Sequence, residues 1–288
     1  MRKAFNNKSV TLLFGLLLSS TSYSKTLVWE ADFNEGSIDT STWNYETGNT
    51  GWGNNELQNY TNDSANAYIE DGAMVIQATK QADGSFNSAR LNTKGKLSYQ
   101  YGTIEARIKV PDLNAGLWPA FWQLGSDIDQ VGWPACGELD VFEAGMAAAL
   151  RENKVNSEAS GAFHWWNDSL DYTGYASYSL TKNLVDDFGL SSDLTDYHIF
   201  GMTWTPTTVS IWIDDESNQV VSMDINDSNF DAFKQPHYIL LNLAVGGAFP
   251  QIYSNNDITA PMPAKMYIDY IRIYDNDASD YSTTLSYQ

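Results

Sequence analysis

The sequence predicts an all-β fold, a single antiparallel β-sandwich of many strands, on three observations. Strand-like runs recur at short intervals, separated by Gly, Asn, Asp and Pro. Aromatic residues make up 14% of the 288 positions, with 17 Tyr and 10 Trp, types that suit a pleated, half-buried surface. Helical periodicity is confined to two short stretches. A closed barrel meets the same alternation. A propeller is disfavoured, because no repeat of about forty residues is visible.

The N-terminal segment stands apart from that pattern. Arg2, Lys3 and Lys8 form a basic end, Val10 to Leu18 an apolar run, and Ser22-Tyr23-Ser24 a small-x-small cleavage pattern. The apolar run is too short to span a bilayer. Residues 1–24 are therefore expected to be a secretory signal, cleaved near Ser24, which makes the protein extracellular or periplasmic. Residues 25–288 then form one domain. No Cys lies near the cleavage site, which excludes acylation there, and no later stretch is apolar enough for a membrane helix.

Strands follow in order: AYIEDGAMVIQATK (67–80), GTIEARIKV (102–110), YHIFGMTWTPTTVSIWID (197–214), HYILLNLAV (237–245) and KMYIDYIRIYD (265–275). GTIEARIKV alternates cleanly. Ile104, Ala106, Ile108 and Val110 take one face, and Thr103, Glu105, Arg107 and Lys109 the other. MTWTPTTVSIWID reads as a hairpin turning near Thr205-Pro206-Thr207. Residues 146–154 and 184–190 are the helical stretches, and both fall in expected loops.

Formal net charge is −20, and loss of the leader removes three cations and no acid, leaving −23. Such a field opposes nucleic acid and anionic membranes, and disfavours a densely sulfated polysaccharide. A neutral partner fits. The single Cys136 allows no internal disulfide, so stability rests on the core, which 43% hydrophobic residues can supply, or on a bound ion. Cys136 itself reads as a small hydrophobe with its back to a cleft.

WPACGELDVFEAG (133–145) carries three acids in six positions, Glu138, Asp140 and Glu143, in a segment that is otherwise apolar or small. As a strand, it puts Glu138 and Asp140 on one face, with Cα atoms ~6.6 Å apart, while Leu139 and Val141 point to the core. Strict alternation would turn Glu143 inward. One extra residue, a bulge at Val141–Phe142, returns it to the acidic face. Two carboxyls about 5–5.5 Å apart across a scissile bond are what retaining glycoside hydrolysis requires. Glu138 would attack, Glu143 would act as acid and then base, and Asp140 would orient Glu138 and help keep Glu143 protonated. The same acids suit calcium, or a solvated acidic face. The first alternative lacks a second acidic cluster or a His nearby in sequence. The second conflicts with the apolar, Trp- and Gly-rich surroundings.

Glu-Leu-Asp-Val-Phe-Glu (138–143) matches the E-x-D-x-x-E signature of family 16 glycoside hydrolases. GWGNNELQNYT (51–61), SARLNTKGK (88–96), YGTIEARIKVP (101–111), GLWPAFWQLG (116–125), WPACGELDVFEAG, YILLNLAVGG (238–247) and MYIDYIRIYD (266–275) follow the order seen in that family's bacterial laminarinase branch, the endo-β-1,3-glucanases. The chain resembles that branch over nearly all of its mature length. The resemblance implies a concanavalin-like jelly roll with a catalytic cleft on the concave face, a neutral β-glucan partner, a monomer, and no cofactor for catalysis. It makes Glu138 the nucleophile, Asp140 the assisting carboxylate and Glu143 the acid/base. It implies sugar contacts at Asn55, Arg90, Trp118, Trp122, Trp133 and His164. It also implies a structural Ca2+ on the convex face, held by the Asp32 and Gly72 carbonyls and the Asp269 carboxylate. His198 and His237 carry no motif and read as structural. Residues 146–178 depart from the branch's simpler pattern, and residues 178–200 read as a variable loop.

Three other functions are to be weighed on the same fold. A mixed-linkage β-1,3-1,4-glucanase needs the same acids. An agarase-like relative would also take a neutral glycan. A non-catalytic β-glucan-binding protein would lack the catalytic glutamates, both of which are present.

Overall fold

The computed structural model of the chain describes residues 25–170 and 174–287. The expected leader, residues 1–24, lies outside them. The described strands form two sheets. One runs Asp215–Asp224, Thr208–Ile213, His198–Trp204, Gly102–Lys109, Ala264–Asp275, Ala73–Lys80, Phe86–Ser88 and Gln58–Tyr60, with Thr26–Ala31 and Ala67–Glu70 as side branches. The other runs Tyr175–Asn183, Glu158–Trp166, Glu138–Glu143, Leu117–Gly125, His237–Val245, Arg90–Asn92 and Asn44–Glu46, with Leu97–Gln100 and Thr284–Tyr287 attached. Among the described residues one pairing is parallel, Gln58–Tyr60 with Phe86–Ser88. The fold is the expected jelly roll, and sequence-distant strands lie side by side.

The core lies between the sheets. Ile104, Ala106 and Ile108 point into it and are fully buried, as the alternation predicts. The opposite face of that strand is only partly wet. Thr103 is buried and donates to Asn276 Oδ1 at 2.7 Å, and Arg107 pairs with Asp269 at 2.7 Å. HYILLNLAV is buried at every position because both its faces are covered. Ile239, Leu241, Leu243 and Val245 join the main core, while Tyr238 and Leu240 join Leu124 and Cys136 in a second cluster. Trp122 and Ile128 pack on that second cluster from the cleft side. Cys136 therefore sits behind the cleft as a hydrophobe, its thiol pushed up to about 12 by burial and then by Asp127 and Glu138.

The hairpin turns at 205–207, between His198–Trp204 and Thr208–Ile213, the two expected helical stretches form Ala147–Arg151 and Leu184–Phe188, and Ile128–Val131 adds a short helix that the sequence did not announce. One expectation is corrected. Residues 178–183 are not loop but part of Tyr175–Asn183, which pairs along its whole length with Glu158–Trp166. Its alternating Tyr175, Ser179 and Thr181 reach the cleft. His198 and His237 are structural: the first contacts Asp214 at 2.7 Å, the second the Gln235 carbonyl at 2.8 Å, and both are buried. No described helix is long and apolar enough to cross a membrane.

Candidate active site

The acidic strand is bulged where alternation requires it. Glu138, Leu139 and Asp140 pair with Leu124, Gln123 and Trp122, whereas Phe142 and Glu143 pair with Phe121 and Ala120. Val141 is the extra residue. On the other side, Asp140 faces Ala162 and Glu143 faces Ser160, so Val141 and Phe142 together span Gly161. A Cβ at Gly161 would stand 3.0 Å from Ile211 and Val221 of the facing sheet, so the bulge lies over a point of close sheet approach. Val141 and Phe142 both turn into the core, where Phe142 stacks on Phe200 with ring centroids 3.9 Å apart. That burial anchors the bulge. Glu138, Asp140 and Glu143 consequently line one cleft of about 620 Å³.

Each acid has its own surroundings. Glu138 Oε2 accepts from Trp133 Nε1 at 2.7 Å, and its Oε1 lies 3.9 Å from His164 Nε2. Glu143 Oε1 accepts from Trp118 Nε1 at 2.8 Å. Asp140 is buried between them, with Oδ2 3.1 Å from His164 Nε2. Burial raises all three to about 8, reinforced by Asp140 at both glutamates. Hydrogen bonds from Trp133 to Glu138 and Trp118 to Glu143 offset part of this. So close a set titrates as a unit, and near neutral pH it holds protons that ordinary carboxylates would have lost. Each glutamate accepts one indole N–H, and His164 lowers both, with its Nε2 in reach of Glu138 Oε1. The geometry thus gathers three carboxyls in one cleft, two of them held by indole N–H groups.

The sugar-contact candidates mostly converge. Arg90, Trp118, Trp122, Trp133 and His164 all line the cleft. Trp118 stacks on Phe249 at 5.1 Å. Arg90 lies between Trp122 and Trp52, 4.7 and 4.8 Å from their rings, and forms an ion pair with Glu46. That clamp fixes an arginine that sequence alone would place on the surface. Asn55 departs from expectation. It is exposed, with φ of 56°, in a tight turn where Asn54 N and Glu56 N donate to the Gly51 carbonyl. The turn aims its neighbours Trp52, Asn54 and Glu56 into the cleft instead.

Sequence reasoning missed Trp52, Glu56, Tyr175 and Phe249, all of which line the cleft. Glu56 is raised by burial and accepts from Gln58 at 2.6 Å and from Tyr60 at 3.1 Å. The polar alternation of Tyr175, Ser177, Ser179 and Thr181 was the legible signal for the edge strand. Phe249 gave none, because it follows a strand in sequence and reaches Trp118 only through the fold.

The residues expected to hold calcium meet along Ala264–Asp275, an interior strand of the other sheet. Ala31 pairs with Ile271, and Met74 with Ile268, so Asp32 and Gly72 come to the same stretch of strand as Asp269. Asp269 is a bulge residue against Gly102–Lys109, and its Oδ2 pairs with Arg107. Gly72 has φ of +78°, and a Cβ there would stand 3.3 Å from Asn34 Oδ1. Two carbonyls and a carboxylate are oxygen donors of the kind a hard cation takes, although Asp269 Oδ2 would have to share itself with Arg107.

Comparison with known proteins follows the same lines. Residues 54–272 match the family described as glycosyl hydrolases family 16. A glucan endo-1,3-beta-glucosidase A1 of Niallia circulans is 32% identical over 274 residues, 86% of this chain and 37% of its own length, so the chain spans little more than a third of that relative. The laminarinase catalytic domain of Thermotoga maritima MSB8 is 35% identical with a TM-score of 0.72, over 87% of this chain and 98% of its own. A Bacteroides ovatus mixed linkage glucan GH16 protein, solved with a G4G4G3G product, is 33% identical with a TM-score of 0.74, over 85% and 99%.

Proposed function

The chain belongs to glycosyl hydrolase family 16, and on that premise we propose that it is a secreted, endo-acting β-1,3-glucan hydrolase that works with retention. Glu138 attacks the anomeric carbon while Glu143 gives its proton to the leaving oxygen. Glu143 then takes a proton from water, which displaces Glu138 from the sugar. Asp140 holds Glu138 in place and, by its charge, favours the protonated Glu143. Trp118, Trp122 and Trp133 offer apolar faces to glucose rings. The observation that carries this reading is the bulge at Val141, which brings the third acid into the cleft.

A mixed-linkage β-1,3-1,4-glucan is the second reading, favoured by the likeness to the Bacteroides ovatus protein. A pure glucan-binding role fits less well, because both glutamates are present and poised. Ca2+ held by Asp32, Gly72 and Asp269 would tie the first strand to the last long one and contribute stability, with no part in the chemistry. A cleaved leader, a monomer and a neutral glycan partner complete the proposal.

The test is a product profile. The mature protein is incubated with laminarin, lichenan, curdlan and agarose, and the released oligosaccharides are sized over time. Intermediate-length products from laminarin and curdlan support an endo-β-1,3-glucanase. Products from lichenan alone support the mixed-linkage reading, and release from agarose alone overturns both.

A further inference from the structure

Tyr175 lies on the edge strand, outside the acidic motif, yet its hydroxyl is 2.7 Å from His164 Nδ1. The other nitrogen of that ring, Nε2, is 3.1 Å from Asp140 Oδ2 and 3.9 Å from Glu138 Oε1. Asp140 Oδ2 is buried and has no hydrogen bond of good geometry, so His164 Nε2 is the donor nearest to an unsatisfied oxygen. Strand register builds this line: Glu138 pairs with His164, and His164 with Ser177, two residues from Tyr175 on the same face.

We propose that Tyr175 is a positioning residue that, acting through His164, keeps an Nε2–H directed at the Glu138–Asp140 pair; this rests on the hydrolase reading above. A phenol both donates and accepts. Toward neutral imidazole it donates to Nδ1, which leaves the proton on Nε2. Toward imidazolium it accepts from Nδ1–H, and Nε2 again carries a proton. One residue thus holds the ring in a single orientation through both charge states. Without the hydroxyl, nothing donates to a bare Nδ1, and the preference for the Nε2–H tautomer weakens. In the Nδ1–H form Nε2 would aim a lone pair at the carboxylates, and the ionised nucleophile would lose support. The ionisable groups facing this ring are Glu138, Asp140 and Glu143 from the acidic strand and Tyr175 from the edge strand. The Tyr175 ring also lies 5.4 Å from that of Trp133, so the substitution must keep an aromatic.

The test is Tyr175→Phe, made alone and with His164→Gln. On its own, Tyr175→Phe should lower kcat roughly tenfold with KM little changed. It should also move the acidic limb of the pH–rate profile to higher pH, because the ionised carboxylate pair has lost a donor. In the His164→Gln background it should cost nothing further. An equal loss in both backgrounds, or a rise in KM with an unshifted profile, overturns the proposal and makes Tyr175 a sugar platform. The ¹⁵N shifts of the imidazoles give a readout independent of activity. The chain has three histidines, so assignment is direct. His164 should be the Nε2–H tautomer in the parent and gain Nδ1–H in Tyr175→Phe, and Nδ1–H in the parent sinks the proposal. If the parent hydrolyses none of the four glucans and agars while the tautomer shifts as expected, the hydrolase reading has failed and the pairing stands.

Discussion

Asp140 and Glu143 are three apart in sequence, yet they face the same way, because their partners Trp122 and Ala120 are two apart. The difference is Val141. Deleting Val141 should therefore leave the last glutamate in the cleft by plain alternation, with Phe142 still in the core. Such a variant should fold, be less stable by about 1–3 kcal/mol from lost burial, and retain hydrolysis. Inserting an Ala after Val141 makes the spacing four, which alternation also keeps on the cleft face but carries Glu143 one further pair of residues, about 6.6 Å, along the strand, so activity should be abolished by misplacement of the acid. Thermal melts and laminarin assays on the pair decide the point, and equal activity in both would refute the register argument.

Glu138→Gln should lose activity by several orders of magnitude while still binding glucan, since the amide keeps the shape but cannot attack. Glu143→Ala should lose about 10²–10⁴-fold, as expected for removal of an acid/base group. Azide should partly restore turnover of Glu143→Ala and give a β-glycosyl azide. An α product by NMR would rule out double displacement.

Trp118→Phe preserves the stack on Phe249 but removes the N–H that Glu143 Oε1 accepts. That bond favours the ionised acid, so its loss raises the proton affinity of Glu143. The group must be protonated to act, so the alkaline limb of the kcat profile should move up by as much as about one pH unit. Movement in the opposite direction would contradict the assignment of Glu143 as the acid.

The same acids set a stability profile. All three are raised to about 8, so between the ordinary carboxylate range and about 8 the folded chain binds more protons than the unfolded one. Their contribution is fully present below the unfolded carboxylate value and is lost as pH rises through about 8. Glu143→Gln should therefore raise Tm at pH 8 and leave it unchanged at pH 4, by roughly 2–4 °C per kcal/mol recovered. A gain at pH 4 alone would reverse the sign.

Chelation should lower Tm without stopping hydrolysis at low temperature, because Asp32, Gly72 and Asp269 belong to the sheet without the catalytic acids. Gly72→Ala should be strained at φ of +78° and reproduce part of that loss. A Tm insensitive to both chelator and added Ca2+ removes the ion from the proposal.

The sequence by itself determined strands such as Gly102–Lys109, because alternation of Ile104, Ala106 and Ile108 is a local consequence of one buried face, but not the edge strand Tyr175–Asn183. It determined the acidic trio and its need for a bulge, since three carboxylates cannot face a core. Only the tertiary structure decided which neighbours serve those acids. Asn54 rather than Asn55 faces the cleft because left-handed backbone at Trp52, Gly53 and Asn55 sets the direction of each side chain in the turn. Phe249 meets Trp118, Trp52 meets Arg90, and Tyr175 meets His164 across separations that no local period encodes. Proton affinity is the clearest case. A glutamate is an ordinary acid in sequence, and becomes one raised to about 8 only when packed strands exclude water and set a second carboxylate beside it.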